Sequence, residues 1–517
     1  MTGAIRTVQE WPMHRNFFSR TFWLVCALVS LLGACKRVGV AASSQEEDLT
    51  AGGGAGVTSG MGAASSAQSG AQSGGGVESQ VMVDVNAASE GAAGELDAAE
   101  DQAPEVQGEN AGSEQDAGEA DNDLLPEIEE PAAASDVACD FEHELPVVCI
   151  DVSEADLALL LEDPQAEIEV PAAVVFDGEY FDDVEFELHG GFARTLPKKS
   201  FRVTFKGARP EVDLFGDGVE SLKRLVLQAS WIDPTWLRAK LTMDLTRTMG
   251  GLAPRISHVI LYVNGQYAGL YLGIERIDGQ FLRRNGLRSG GDLYKAETLA
   301  ANWDPDAELL AGFATMGNST DDGSRLSSLF QDLHAMSPVA ADYQHQVAQR
   351  LATREWEAWH LVHSYAENVD TFRKNYYLYH DATAVPGTVE DRYRVIMWDA
   401  DATWGNGWNG AAISTDSRAW YGNRNLFAKA YFSDGLHLQA YLMTYELGLQ
   451  SELRPELLHA AVDERALRIA QEADRDLAHW QRELGFFDVL ADLHTAIDAR
   501  HEVMTEVVAG QLARIVE

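Results

Sequence analysis

The stretch HSYAENVDTFRKNYYLYHD, residues 363–381, is where one periodicity gives way to another. Before it, EWEAWHLVHSYAEN sets Trp356, Trp359, Val362 and Tyr365 near one face of an amphipathic helix. After it, Tyr376, Tyr377 and Tyr379 read as an aromatic strand. The junction holds Glu367, Asn368, Asp370 and Asn375, poor material for a core. They are good material for holding a metal ion or steering a proton.

Asp370 and Asn375 stand at D-x-x-x-x-N spacing with Lys374 beside them. In phosphoryl transfer such an acid orients or accepts the proton of the attacking hydroxyl, and the amide oxygen holds a metal. A second strand, RYRVIMWDAD, ends on Asp399 and Asp401. Mg²⁺ takes one or two carboxylates and keeps some water, so these two acids suit a cation that also touches phosphate. Each piece has a plainer reading. Asp370 can cap a helix, and DADATWG can be a calcium loop or a turn. The hairpin adds weight to the functional reading, because it brings its two ends into one neighbourhood.

Working outward, residues 138–290 are rich in strand signals. SFRVTF alternates with period two, and Asn264-Gly265 between two aliphatic runs predicts a hairpin. One helix interrupts, with Asp233 as its N-cap, Pro234 in its first turn and a core stripe of Leu237, Leu241, Leu245 and Met249. Residues 291–517 are mainly helical around the embedded hairpin. A strand-rich half followed by a helix-rich half is an α+β chain.

A basic element, RTLPKKSFRVTF, breaks a run without Lys or Arg that extends from Arg37 to Arg194. Strand parity turns Lys199 inward with Phe201 and Val203, and puts Lys198 and Arg202 on the other face. An inward ammonium needs a phosphate or an anionic partner, for which Glu275 is the candidate. The plainer reading makes both lysines surface gatekeepers of a strand.

Overall charge is −42, with 39 Lys and Arg against 81 Asp and Glu. That balance opposes sequence-independent nucleic-acid binding, which requires cationic surface. Residues 1–34 read as a secretory leader: Arg15 and Arg20, the apolar run Phe22–Leu32, then small residues before Cys35. Met13 offers a second start. LLGAC resembles the bacterial lipobox, which implies a lipid on Cys35 and a place in the bacterial envelope, at the outer membrane or cell surface. The plainer reading is an ordinary leader or a short anchor. Residues 35–137 are Gly, Ala, Ser and acid, a composition that cannot repay its ordering entropy and reads as a tether. Cys139 and Cys149 then remain as a disulfide pair, with two buried thiols as the alternative.

The segments HGGFARTLPKKSFRVTF, LVLQASWIDPTWLRAKLTMDL, VNGQYAGLYLGIERID, ENVDTFRKNYYLY and VIMWDADATWG, within residues 170–410, resemble in order the CotH family of atypical protein kinases. The resemblance implies a two-lobed kinase-like fold, ATP with Mg²⁺ (or Mn²⁺ or Ca²⁺), and protein Ser/Thr hydroxyls as acceptors. It assigns catalysis to Asp370 and metal binding to Asp399, with Asp401 close by. The sequence departs from the family in having His189-Gly190 where Arg-Gly is usual. Trp404 and Trp408 fall near the implied site, as base-stacking or packing residues. A competing class is a non-catalytic envelope scaffold with calcium at Asp399 and Asp401.

Overall fold

The computed structural model describes residues 139–317, 319–433 and 435–516. The leader, Cys35 and the tether lie outside the described residues. Seven strands close a barrel: β1 (Val147–Val152), β2 (Glu169–Phe176), β3 (Glu179–Leu188), β4 (Phe201–Phe205), then, past the small ribbon of β5 (Glu211–Val212) and β6 (Glu220–Ser221), β7 (Arg224–Gln228), β8 (Ile256–Val263) and β9 (Gln266–Glu275). Around the barrel the order is β1-β2-β3-β4-β7-β9-β8. Closure comes from β1 running parallel to β8, with Val147 beside Ile260; the other neighbours are antiparallel.

Alternation explains why these strands are apolar on both faces. Val148, Ile150, Leu225, Leu227, Val259, Leu261 and Tyr271 fill the barrel. Their neighbours Val147, Cys149, Val226, Ile260, Leu270 and Leu272 face outward into the main core, under the helices. The expected hairpin is present: Asn264 and Gly265 both take left-handed backbone between β8 and β9. Cys139 and Cys149 form a disulfide, with Cα atoms 6.4 Å apart, that ties the start of the described chain to β1.

The other half is built on a four-stranded antiparallel sheet, β11-β10-β12-β13, made of β10 (Asp292–Ala296), β11 (Phe313–Met316), β12 (Tyr376–His380) and β13 (Arg394–Met397). Helix α1 (Glu154–Glu162) lies against β2. Helix α2 (Arg238–Thr248) contacts α6 (Thr353–Tyr365) after the short α3 (Gly279–Arg284), α4 (Ser324–Ala335) and α5 (Tyr343–Arg350). The C-terminal group is α7 (Leu426–Tyr431), α8 (Gly435–Leu449), α9 (Pro455–His479) and α10 (Phe486–Val516). Among the described residues no helix is long and apolar enough to cross a membrane.

Helix α2 starts later than its sequence signals suggest. Trp236 takes left-handed backbone (φ 53°) and cannot be helical. Asp233 still serves the helix: its carboxylate accepts from the Thr235 and Arg238 amides at 3.1 and 3.0 Å. The stripe of Leu237, Leu241, Leu245 and Met249 is buried core, as its spacing predicts.

Barrel and C-terminal helices are joined by one buried ion pair. Lys198 Nζ donates to Asp476 Oδ2 on α9 and to the Leu270 carbonyl, both at 2.6 Å. The same Asp476 oxygen accepts from the Leu270 amide at 2.7 Å. Gly269 makes room, since a Cβ there would sit 2.1 Å from Asp476 Oδ2. Burial pulls Lys198 down to about 8 against the opposing pull of Asp476. Removing either partner alone (Lys198→Met or Asp476→Leu) is expected to cost about 3–5 kcal/mol in urea unfolding. The double variant should lose less than the sum; strict additivity would show that the pair is not coupled.

Burial also holds three core histidines neutral, His258 at about 4 and His360 and His363 at about 3. An unfolded imidazole takes its proton near 6.5, so unfolding binds protons below that pH. Their stabilisation is complete above pH 6.5 and falls on acidification by up to about 1.4 kcal/mol per pH unit for each histidine. Glu187, raised by burial to about 7, acts oppositely and loses stability as pH rises from 4.5. Neither ring nitrogen of His363 has a hydrogen-bond partner. His363→Phe should therefore flatten the decline of melting temperature between pH 6.5 and 4; an unchanged slope would assign the effect elsewhere.

Candidate active site

Helix α6 ends at Tyr365, and the chain reverses through Glu367 (φ 56°) into fully buried Asn368. The Asn368 side chain joins the two acidic segments: Oδ1 accepts from the Asp370 amide at 3.0 Å, and Nδ2 donates to the Asp399 carbonyl at 3.3 Å. Asp370 is then fixed from its C-terminal side. Lys374 Nζ meets Oδ1 at 2.7 Å, and Asn375 Nδ2 donates to Oδ2 at 2.9 Å. The β12–β13 register pairs Tyr376 with Met397, so the chain entering one strand lies beside the chain leaving the other. Phe372, Asn375, Asp399 and Trp404 all hold left-handed backbone, at a cost of about 1–3 kcal/mol each. Such strain persists because packing and hydrogen bonds around the loops over-determine it.

The two acidic segments act on each other. Burial raises Asp399, and the charge of Asp370 raises it further, while Lys374 and Lys295 pull it down. Asp401 is held well above the usual carboxylate range by burial, then by Asp399 and Asp233. The charge of Asp399 thus acts on Asp401, and the two carboxyls lean on each other. Gln228 at the end of β7 reaches Asp401 Oδ2 at 3.1 Å, which places this acid against the barrel. Among the described residues no three His, Cys, Asp or Glu side chains are gathered around one ion position. Mg²⁺ needs only one or two carboxylates when phosphate and water complete its shell. Two neighbouring carboxyls, Asp399 and Asp401, meet that need. Asn375 commits its amide nitrogen to Asp370, leaving its amide oxygen as the possible ligand.

Besides Lys374, the cation that acts on the acids is not the one strand parity predicts. Lys295 on β10, opposite Tyr377, acts on Asp399 and pairs with Glu297 at 3.2 Å. It also acts on His189, which burial and the cations Arg202, Lys295, Arg276 and Arg194 hold down at about 3. Arg202 pairs with Glu187 and Glu169 and belongs to this cationic wall. Lys198 is spent on Asp476. Lys199 caps a short turn, donating to the carbonyls of Arg194 and Leu196 at 2.7 Å each. Its predicted partner Glu275 instead binds Arg255 and Arg284 at 2.9 and 2.6 Å. The one signal for Lys295 was a lone cation inside the short strand DLYKA. Trp404 is fully buried packing, with Nε1 donating to Thr242 Oγ1 at 2.8 Å. Trp408 is half exposed, edge-on to Phe192 from the β3–β4 loop.

A family model described as CotH kinase protein matches residues 186–507. The chain belongs to the CotH family. The curated inner spore coat protein H of Bacillus subtilis (strain 168) is 24% identical over 288 residues, covering 53% of this chain and 73% of that protein. A chain from the Shewanella oneidensis HipA–HipB–operator DNA complex aligns over 71% of this chain and 74% of its own, at 16% identity. Its TM-score of 0.25 is too low to bear on the fold.

The CotH match takes in every residue of the candidate site and ends within α10. That last helix supplies the support which the sequence did not reveal. Arg500, wholly buried, donates to the carbonyls of Ser364 and Tyr365 at 3.1 Å each, and to those of Thr415 and Ser417 at 3.2 and 2.6 Å. Its guanidinium also lies 3.3 Å from Glu367 Oε2. In this CotH domain, therefore, the end of α6 and the loop beyond Asp401 hang from one side chain. Arg500→Ala should destabilise by about 3 kcal/mol or more, because it strands a buried carboxylate and several carbonyls. Arg500→Lys should recover only part, since an ammonium cannot reach all four carbonyls. Equal urea midpoints for Arg500→Ala and the parent chain would remove the clamp.

Proposed function

We propose that this CotH domain transfers the γ-phosphoryl group of ATP to Ser or Thr hydroxyls of a protein substrate, within a two-lobed kinase-like fold. The barrel half, residues 138–290, serves as the N-terminal lobe, and residues 291–517 as the lobe carrying the catalytic hairpin. The observation that carries this reading is the Asn368 side chain, which joins the Asp370 amide to the Asp399 carbonyl and so holds the two acidic loops together. Phosphoryl transfer depends mostly on positioning and electrostatics, which such a constellation supplies.

Asp370 orients the acceptor hydroxyl and takes its proton, with Lys374 and Asn375 fixing its carboxylate. Asp399 and Asp401, with the Asn375 amide oxygen, would hold the divalent cation. Mg²⁺ when bound neutralises charge on the β- and γ-phosphates. Lys295, with Arg202 and Arg276, forms the cationic wall for those phosphates. We place the domain in the bacterial envelope, at the outer membrane or cell surface, held by lipid on Cys35 and kept off the membrane by the residue 35–137 tether.

Mg·ATP should raise the melting temperature of the full chain, and Asp399→Ala should abolish that rise. With γ-labelled ATP, label should pass to protein hydroxyls. Asp370→Asn should keep the nucleotide-induced rise but lose about 10²–10⁴-fold in transfer rate. Label arriving from α-labelled ATP would make the reaction nucleotidyl transfer. Absence of any Mg·ATP response would leave a scaffold.

A further inference from the structure

The loop from Asp370 to Asn375 is pinned along its backbone. Asn375 donates its amide to the Ala296 carbonyl at 2.8 Å and its Nδ2 to the Asp370 carbonyl at 2.9 Å. Asn425 Nδ2 holds the Phe372 carbonyl at 3.0 Å, and the buried Phe372 ring stacks on Tyr421 with centroids 5.1 Å apart. The Lys374 carbonyl accepts from Thr371 Oγ1 at 3.3 Å. The Lys374 side chain stands apart from this frame. It is 29% exposed, its ammonium meets Asp370 Oδ1 at 2.7 Å, and a flexible four-carbon stem separates that contact from the fixed backbone.

Asp370 does not need that ammonium to keep its place. Asn375 Nδ2 already holds Oδ2 at 2.9 Å, and the Asp370 amide donates to Asn368 Oδ1 at 3.0 Å. Oδ1 is thus the oxygen left for an acceptor hydroxyl, and Lys374 stands on it. The cations also divide by what they act on. Lys295, Arg202, Arg276 and Arg194 act on His189, on the barrel side. Lys374 contacts Asp370 and acts on Asp399, so its charge lies between the two acidic loops. A phosphoryl group passing to a hydroxyl at Asp370 has to cross that span.

We infer that Lys374 is a catalytic residue, whose ammonium yields Asp370 Oδ1 to the acceptor hydroxyl and moves onto the γ-phosphoryl oxygens of ATP. The inference rests on the phosphoryl-transfer reading given above. Asp370 takes the hydroxyl proton as the acceptor oxygen bonds to the γ-phosphorus. The bond from that phosphorus to the bridging oxygen breaks, and ADP leaves with the electron pair. Lys374 transfers no proton; it supplies charge where the three equatorial oxygens gather it. Once Asp370 is protonated its attraction for the ammonium is gone, so Lys374 stays with the phosphoryl group until the product departs. The pinned backbone lets this happen through side-chain torsions alone, with Asn375 keeping Asp370 in position.

The test compares the full chain with Lys374→Met and Lys374→Arg, using γ-labelled ATP, casein as the probe acceptor and water as the default one. Lys374→Met should keep the Mg·ATP rise in melting temperature, which also reports that it is folded, and should lower kcat about 10²–10³-fold with little change in KM for ATP. Lys374→Arg should recover part of the rate. ATPγS separates contact with the phosphoryl group from mere support of Asp370. Sulfur in place of a γ-oxygen should slow the parent about 5-fold or more beyond its effect on Lys374→Met, since the variant has no contact left to lose. Equal slowing of parent and variant overturns the inference, and so does a Lys374→Met kcat within about threefold of the parent. A parent chain that moves no γ-label to protein or water overturns the phosphoryl-transfer reading itself, and this inference with it.

Discussion

Every α-helix ends with carbonyls that lack an intrahelical partner, and where α6 ends there is little water to supply one. Arg500 resolves this by reaching from the last helix with a planar fork of donors, answering carbonyls from two segments at once. The order of the acidic loops follows from it. Glu367 can take its left-handed turn because a guanidinium lies beside its carboxylate, and Asn368 can then span from Asp370 to Asp399. A helix near the C-terminus thus sets the geometry of residues more than a hundred positions earlier.

The barrel contributes in a different way. It fills its own interior and offers a second apolar surface to the helices, so its outer side is not a free sheet face. Lys198 and Asp476 fix where α9 meets that surface, and Gln228 reaches from β7 to Asp401. The acids at the end of β13 are thus held from both halves of the molecule. The cationic wall around His189 comes from the 3₁₀ turn Phe192–Thr195, β4, the residue after β9, and β10, segments that the sequence order keeps apart.

Local patterns told most of the fold. The Asn264-Gly265 turn, the core stripe of α2 and the β12–β13 hairpin could all be read, because each depends on near neighbours. The hairpin also brings the Asp370 and Asp399 segments to one bridging side chain, Asn368. The basic element misleads because Lys198 and Lys199 precede β4, which begins only at Phe201, so period two does not hold for them. Glu275 was recoverable in principle: counting outward from the Asn264-Gly265 turn, with one register shift, sets it beside Arg255. Lys295 and Arg500 were not recoverable this way. Their partners are chosen by how separate elements pack, and no local period carries that information.

The family match begins at Phe186, inside β3, whereas the barrel closes through β1 and β2, which precede it. A chain cut at the homology boundary would lose β1, β2 and most of β3, and leave β4 and β8 with unpaired backbone rims. Rims of that kind recruit strands from other molecules. The smallest soluble piece of this protein is therefore defined by the closed cylinder, disulfide included, and not by the span it shares with its relatives.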